Sequence, residues 1–154
     1  MTAKIHDLAR RLGVALFCMV LLAPVAALAD DEHLAVHTGI GDFGFTVEIA
    51  DDDPTRAKGL MFREALAPDK GRLSAFPTAQ PVAFVVKNPP IPLDMIFIAA
   101  DGTIRNVHVN AVPHDETPIP SDGAVRFVLE VAGGRSVEMG VQPGDKVTSP
   151  RIPK

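Results

Sequence analysis

Hydrophobic and polar residues alternate with period two in several segments of the chain, the pattern of strands that bury one face. In residues 43–50, Phe43, Phe45, Val47 and Ile49 share a face opposite Thr46 and Glu48. Residues 82–87 set Val82, Phe84 and Val86 against Lys87. Residues 124–131 set Val125, Phe127, Leu129 and Val131 against Arg126 and Glu130. Segments 94–99 and 103–109 flank Asp101-Gly102, the strongest two-residue hairpin signal in the chain. Residues 34–40 and 146–149 carry weaker strand patterns near the two ends.

One helix is expected. Asp53 is a good N-cap, Pro54 suits the first helical position, and Asp51 and Asp52 favour the positive end of the dipole. Gly59 stops it, so the helix should end near Leu60. A second short turn is expected over 133–139. Most of the 14 prolines fall between these segments, where they punctuate connections and protect sheet edges. Short strands, one short helix and frequent turns predict a mainly β (α+β) domain, a strongly curved antiparallel sheet or small barrel. Helices do not separate the strands, which disfavours a βαβ parallel architecture.

The first residues change the picture of where the domain starts. Lys4, Arg10 and Arg11 precede an apolar run from Leu12 to Leu28, which closes on Ala27-Leu28-Ala29 before Asp30-Asp31-Glu32. A positive segment, an apolar segment and small residues at a cleavage point are the parts of a secretory signal. The expected organisation is a signal peptide over 1–29, cleaved near Ala29-Asp30, and a single domain over 30–154. The protein is then periplasmic or secreted. Cleavage leaves 12 basic against 18 acidic residues, a formal charge of −6. Nucleic-acid binders need basic surface, so no nucleic-acid partner is expected, and no membrane attachment after cleavage. The one cysteine, Cys18, leaves with the signal, taking with it any disulfide, thiol nucleophile or thiolate ligand. Trp and Tyr are missing, which removes the usual stacking platforms for sugars and bases.

Three stretches taken in order carry a resemblance: VEIADDDPTRAKGLMFRE from Val47, KNPPIPLDMIFIAADGTI from Lys87, and VLEVAGGRSVEMGVQPGDKV from Val128. Together they resemble the prokaryotic domain of unknown function 192 family, whose members are commonly exported single domains. The resemblance implies a compact, mainly β fold and no established activity. Two stretches depart from the family pattern. Gly71-Arg72-Leu73-Ser74-Ala75-Phe76 stands where a G-M-L-F-x-F stretch is usual, and Phe84-Val85-Val86-Lys87-Asn88-Pro89 where F-W-M-K-N-T is usual. Arg72 and Ser74 thus replace apolar residues.

Within the family-like stretches, Arg56, Arg63, Lys87, Asn88 and Asp94 form the most suggestive polar set. Arginine supplies bidentate contacts to carboxylate or phosphate, so the set reads as a ligand-binding cleft for a small anion. The alternative is a structural ion network. Asp94 shares a strand face with Ile96 and Ile98, and a carboxylate so placed needs a cationic or N–H partner. His108, His114, Asp115 and Glu116 lack any dense ligand spacing, so no metal and no cofactor are expected. No Gly-x-Ser-x-Gly elbow occurs, and Gly140–Asp145 is a turn rather than a phosphate loop. The leading expectation is a non-catalytic binding or accessory domain of the cell envelope, acting on a small anionic ligand or an envelope protein partner. The competing expectation is an envelope hydrolase with a cryptic site around His108 or Asp94.

Overall fold

The computed structural model describes residues 31–61, 63–86 and 90–153. The expected signal over 1–29, its cleavage point and the predicted site residues Lys87 and Asn88 lie outside the described residues. In chain order the elements are β1 (Asp31–Thr38), β2 (Gly41–Ala50), α1 (Asp53–Lys58), β3 (Lys70–Gln80), β4 (Ala83–Phe84), β5 (Leu93–Ile98), β6 (Ile104–Ala111), β7 (Ile119–Pro120), β8 (Val125–Ala132), α2 (Arg135–Glu138) and β9 (Lys146–Thr148). Seven strands form one curled half-barrel sheet in the order β6-β5-β8-β3-β2-β1-β9, and β4 pairs with β7 separately. The mainly β fold is as the sequence predicts.

The sheet is not wholly antiparallel. β2 and β3 run parallel, with α1 in the connection between them, and every other strand pair is antiparallel. β3 is the largest departure from the sequence reading, which assigns no strand there. The expected strand over 82–87 shrinks to the two residues of β4, whose partner is equally short. Pro81 before it and Pro120 in its partner limit the ladder.

Local chemistry accounts for the ends of the elements. The N-cap of α1 is Asp52 rather than Asp53, because Thr55 stands three residues further on and closes a capping box with it. Asp52 accepts from Thr55 N at 2.7 Å, and these bonds hold its carboxyl below the usual range. Gly59 ends the helix at φ +51, as expected. The β5–β6 hairpin turns through Asp101-Gly102, where Gly102 sits at φ +81. A Cβ there would meet Val147 O at 2.4 Å, so glycine is required on two counts.

Both faces of the sheet are covered. On one, Phe45, Val47, Leu73, Ile96, Ile98, Phe127 and Leu129 form the larger core. On the other, Met95, Phe97, Val125 and Val128 pack with Val86, Ala111 and Ile119. Glu130, opposed to the apolar set of its strand in the sequence reading, therefore also lies inside, while Thr46, Glu48 and Arg126 are half-buried. That second face positions the candidate site.

Candidate functional site

The sequence-predicted residues go to separate places. Arg56 lies on α1, where Nη1 donates to Ala75 O at 2.6 Å and Nη2 to Asp53 Oδ1 at 2.5 Å. Its guanidinium stands 5.1 Å from the Phe76 ring centroid. Arg63 pairs with Glu48 and borders a small hollow with Lys70 and Asp31. Asp94 has no exposure at all. Its Oδ1 accepts from Asn110 N (2.8 Å) and Gly134 N (2.9 Å), and its Oδ2 from Ser136 N (2.7 Å). It clamps the end of β6 and the first residues of α2 to β5, and among the described residues its partners are N–H donors. The structure does not bring Arg56, Arg63 and Asp94 together. His108 is exposed beside Asp115 in a hollow of its own. Among the described residues no three metal-ligating side chains cluster.

Arg56 does reach a hollow of about 370 Å³ between α1, the segment 84–86 and β5. Ala57, Leu60, Met61, Phe84, Val85, Val86, Leu93 and Met95 make its wall apolar, and Arg56 and Lys58 stand on the α1 side. Glu130 of β8 also lines it. A larger hollow at the C-terminal edge, lined by His33, Val147 and Ile152, is more open, and several of its polar groups have protein partners. There Lys146 Nζ donates to Thr103 Oγ1 (2.6 Å) and Thr148 Oγ1 bonds His37 Nε2 (2.8 Å).

Strand register explains how a glutamate comes to the smaller hollow. Glu48 of β2 pairs with Arg72 of β3, Arg72 with Glu130 of β8, and Glu130 with Met95 of β5. The four side chains form a row across one face. Arg63 extends it, and side-chain exposure falls from 48 % at Arg63 and 24 % at Glu48 to 6 % at Arg72 and at Glu130. Arg72 is partly satisfied: Nη2 donates to Thr55 O of α1, and Nη1 stands 3.7 Å from Glu48 Oε2. Its Nε, however, is 3.9 Å from Glu130 Oε2, too far for a hydrogen bond. Among the described residues, Arg72 Nε, Glu130 Oε2 and Ser74 Oγ are all buried without a hydrogen-bond partner.

Burial pushes the Glu130 carboxyl up to about 7, and the Arg72 guanidinium only partly offsets this. A carboxyl group is thus held near half-protonation at neutral pH against an apolar hollow, with bonding capacity to spare. A strongly shifted group in the wall of a cleft is a candidate functional group. The sequence reading set Glu130 on a solvated strand face and took Arg72 only as a departure from a family pattern. The available signal was that both are charged residues amid β-forming apolar neighbours.

The profile of the DUF192 family, described as an uncharacterised ACR, matches residues 36–149. The chain belongs to the DUF192 family. The match spans every strand that builds the polar row. Two solved structures share this DUF192 fold. A candidate transcription regulator from Sinorhizobium meliloti 1021 is 45% identical, with a TM-score of 0.75 over 77% of this chain and 93% of that one. A protein of unknown function from Novosphingobium aromaticivorans DSM 12444 is 38% identical, with a TM-score of 0.77 over 82% and 89%. No curated protein matches the chain.

Proposed function

We propose that this DUF192 protein is an exported, non-catalytic binding domain of the cell envelope that takes a small ligand with an apolar body in the hollow beside α1. One observation carries the reading: a hollow of about 370 Å³ has largely apolar walls, with Arg56 and Lys58 on the α1 side and the buried Glu130 among its lining residues. That volume lies within the roughly 300–1,000 Å³ of small-molecule sites, which pair apolar walls with a few placed polar groups. Among the described residues no serine, threonine, cysteine or histidine lines the hollow, so no nucleophile–base pair faces it. An anionic head group gains little at Arg56, whose donors serve Ala75 and Asp53. Export is supported by the charged, apolar and small-residue order of the first 29 residues. The Sinorhizobium neighbour's regulator description is not adopted here, because the acidic balance of this chain opposes phosphate binding.

A thermal-shift screen of small apolar and amphiphilic compounds tests the ligand reading. Binders should raise the Tm, and Ala57→Trp, a substitution on the exposed side of α1 that narrows the hollow, should abolish the rise without lowering the unliganded Tm. Stabilisation that survives Ala57→Trp places the ligand elsewhere and refutes the proposal. Export is tested by N-terminal sequencing of protein from a periplasmic extract. It should begin at Asp30, and intact chain confined to the cytoplasm refutes it.

A further inference from the structure

We infer that the ligand is a singly charged anionic amphiphile, whose apolar body fills the hollow while its head stays at the mouth against Lys58. This rests on the hollow being a ligand site and adds the chemistry and placement of the ligand's polar end. Three charged side chains line the hollow: Arg56 and Lys58 of α1 and Glu130 of β8. Two of them are already matched. Arg56 pairs with Asp53, and its terminal nitrogens donate to Ala75 O and Asp53 Oδ1. Glu130 closes the row of Arg63, Glu48 and Arg72, which sums to zero charge with Glu130 ionised. Lys58 is exposed and, among the described residues, has neither an ion-pair nor a hydrogen-bond partner. The acids at the start of α1 are committed elsewhere, Asp51 to Arg151, Asp52 to Thr55 and Asp53 to Arg56. The lining therefore carries one cation in excess.

Lysine suits a head held at a mouth. Its methylene stem lies along apolar surface while the ammonium stays in water, and it meets an anion as a flexible point charge. The head then keeps most of its hydration, so the large cost of burying a charge does not arise. The inner wall offers the opposite. Leu93 and Met95 are buried there, and with them stands Glu130, a carboxyl that repels an anion whenever it is ionised. An anion entering head first would lose its water and meet that carboxyl. A cationic head at the mouth would meet Lys58 and Arg56 instead. A neutral head finds no unmatched charge to answer, so only its apolar body contributes. One excess cation calls for one negative charge.

Octanoate, 1-octanol and octylammonium present one apolar chain with three different heads. Their binding is read on the full-length protein, at low salt and neutral pH, by NMR of ¹³C-methyl methionine. Met61 and Met95 line the hollow, whereas Met139 is buried in the larger core on the other face and serves as the internal control. Octanoate should shift Met61 and Met95 but not Met139. It should bind at least about threefold more tightly than 1-octanol, as expected for one ion pair at an exposed mouth. Octylammonium should bind most weakly. Lys58→Gln should bring octanoate down to the level of 1-octanol and leave 1-octanol unchanged. That side chain is exposed and unpartnered, so the variant keeps the fold, and the ranking of heads in the unsubstituted protein stands without it. Binding of 1-octanol or octylammonium as tight as octanoate, or a preference for octanoate that survives Lys58→Gln, overturns the anion inference and leaves the hollow a ligand site. If no probe moves Met61 or Met95, the hollow itself is not a site, and both readings fall.

Discussion

Replacing Glu130 by glutamine isolates the energetic consequence of burying a carboxylate at the centre of the sheet. The side chain keeps its shape and loses its ability to ionise. In the folded protein the Glu130 carboxyl titrates at about 7 instead of its ordinary 4.5. A folded-state value above the unfolded one means that the folded state holds the proton more tightly. The stability Glu130 contributes is therefore fully present below pH 4.5 and is lost as pH rises through 7. At 1.36 kcal/mol per pH unit that interval amounts to about 3 kcal/mol. Desolvation is the larger cause and the Arg72 charge the smaller, opposing one, so the net sign is destabilising. Glu130→Gln should match the parent to within about 1 kcal/mol at pH 4.5 and exceed it by about 3 kcal/mol at pH 8. Urea denaturation of both proteins across that range gives the difference, in which all other titrations cancel. A difference that stays flat with pH, or that favours glutamate above pH 7, would show that Arg72 and its surroundings stabilise the charge. The account of Glu130 as a spare, poorly solvated carboxyl would then fail.

Asp94→Ala removes the acceptor of three backbone N–H bonds, one buried and two part-buried, and should lower stability by about 3–9 kcal/mol at about 1–3 kcal/mol per orphaned group, measured by urea unfolding. Gly102→Ala puts a Cβ 2.4 Å from Val147 O at a left-handed backbone position and should cost more than about 2 kcal/mol, with faster amide exchange in β9. Ser74→Ala deletes a buried hydroxyl that has no partner among the described residues, so stability from urea unfolding should be unchanged or higher, by up to about 1 kcal/mol.

Elements that cover themselves with one apolar face and end in recognisable turns were legible in the sequence. β2 and β8 carry an alternating apolar set, the β5–β6 hairpin is marked by Asp101-Gly102, and α1 is bracketed by Asp52, Pro54 and Gly59. β3 was not legible, for a physical reason. Its residues 71–74 are all buried, so the middle of the sheet imposes no alternation, and Arg72 and Ser74 break any apolar run that would have replaced it. The same two-sided burial hid the site. Alternation across β8 assigns Glu130 to water, which is correct only when the second face is bare, and Phe97, Val128 and Val86 cover it. For Asp94 the need of a buried partner was legible, since it stands among the isoleucines of β5. That the partners are N–H groups from 110, 134 and 136 is a tertiary fact that no local pattern encodes.

The parallel pairing of β2 with β3 ties these features into one argument. A parallel neighbour requires a crossover, and the chain crosses over with α1, which buries no residue of its own in the sheet. A six-residue helix makes a thin cover, and beside it the hollow remains open. The crossover also fixes the register that sets Glu48, Arg72 and Glu130 side by side beneath it. Charges at the middle of a sheet are expensive unless some of their bonds are made, and α1 supplies one through the Thr55 carbonyl, while Glu48 and Arg63 carry the row out to water. At the inner end that compensation runs out, because Arg72 Nε and Glu130 Oε2 stop short of each other. The thin cover and the buried, poorly compensated carboxyl meet at Glu130, which lines the hollow that α1 leaves open.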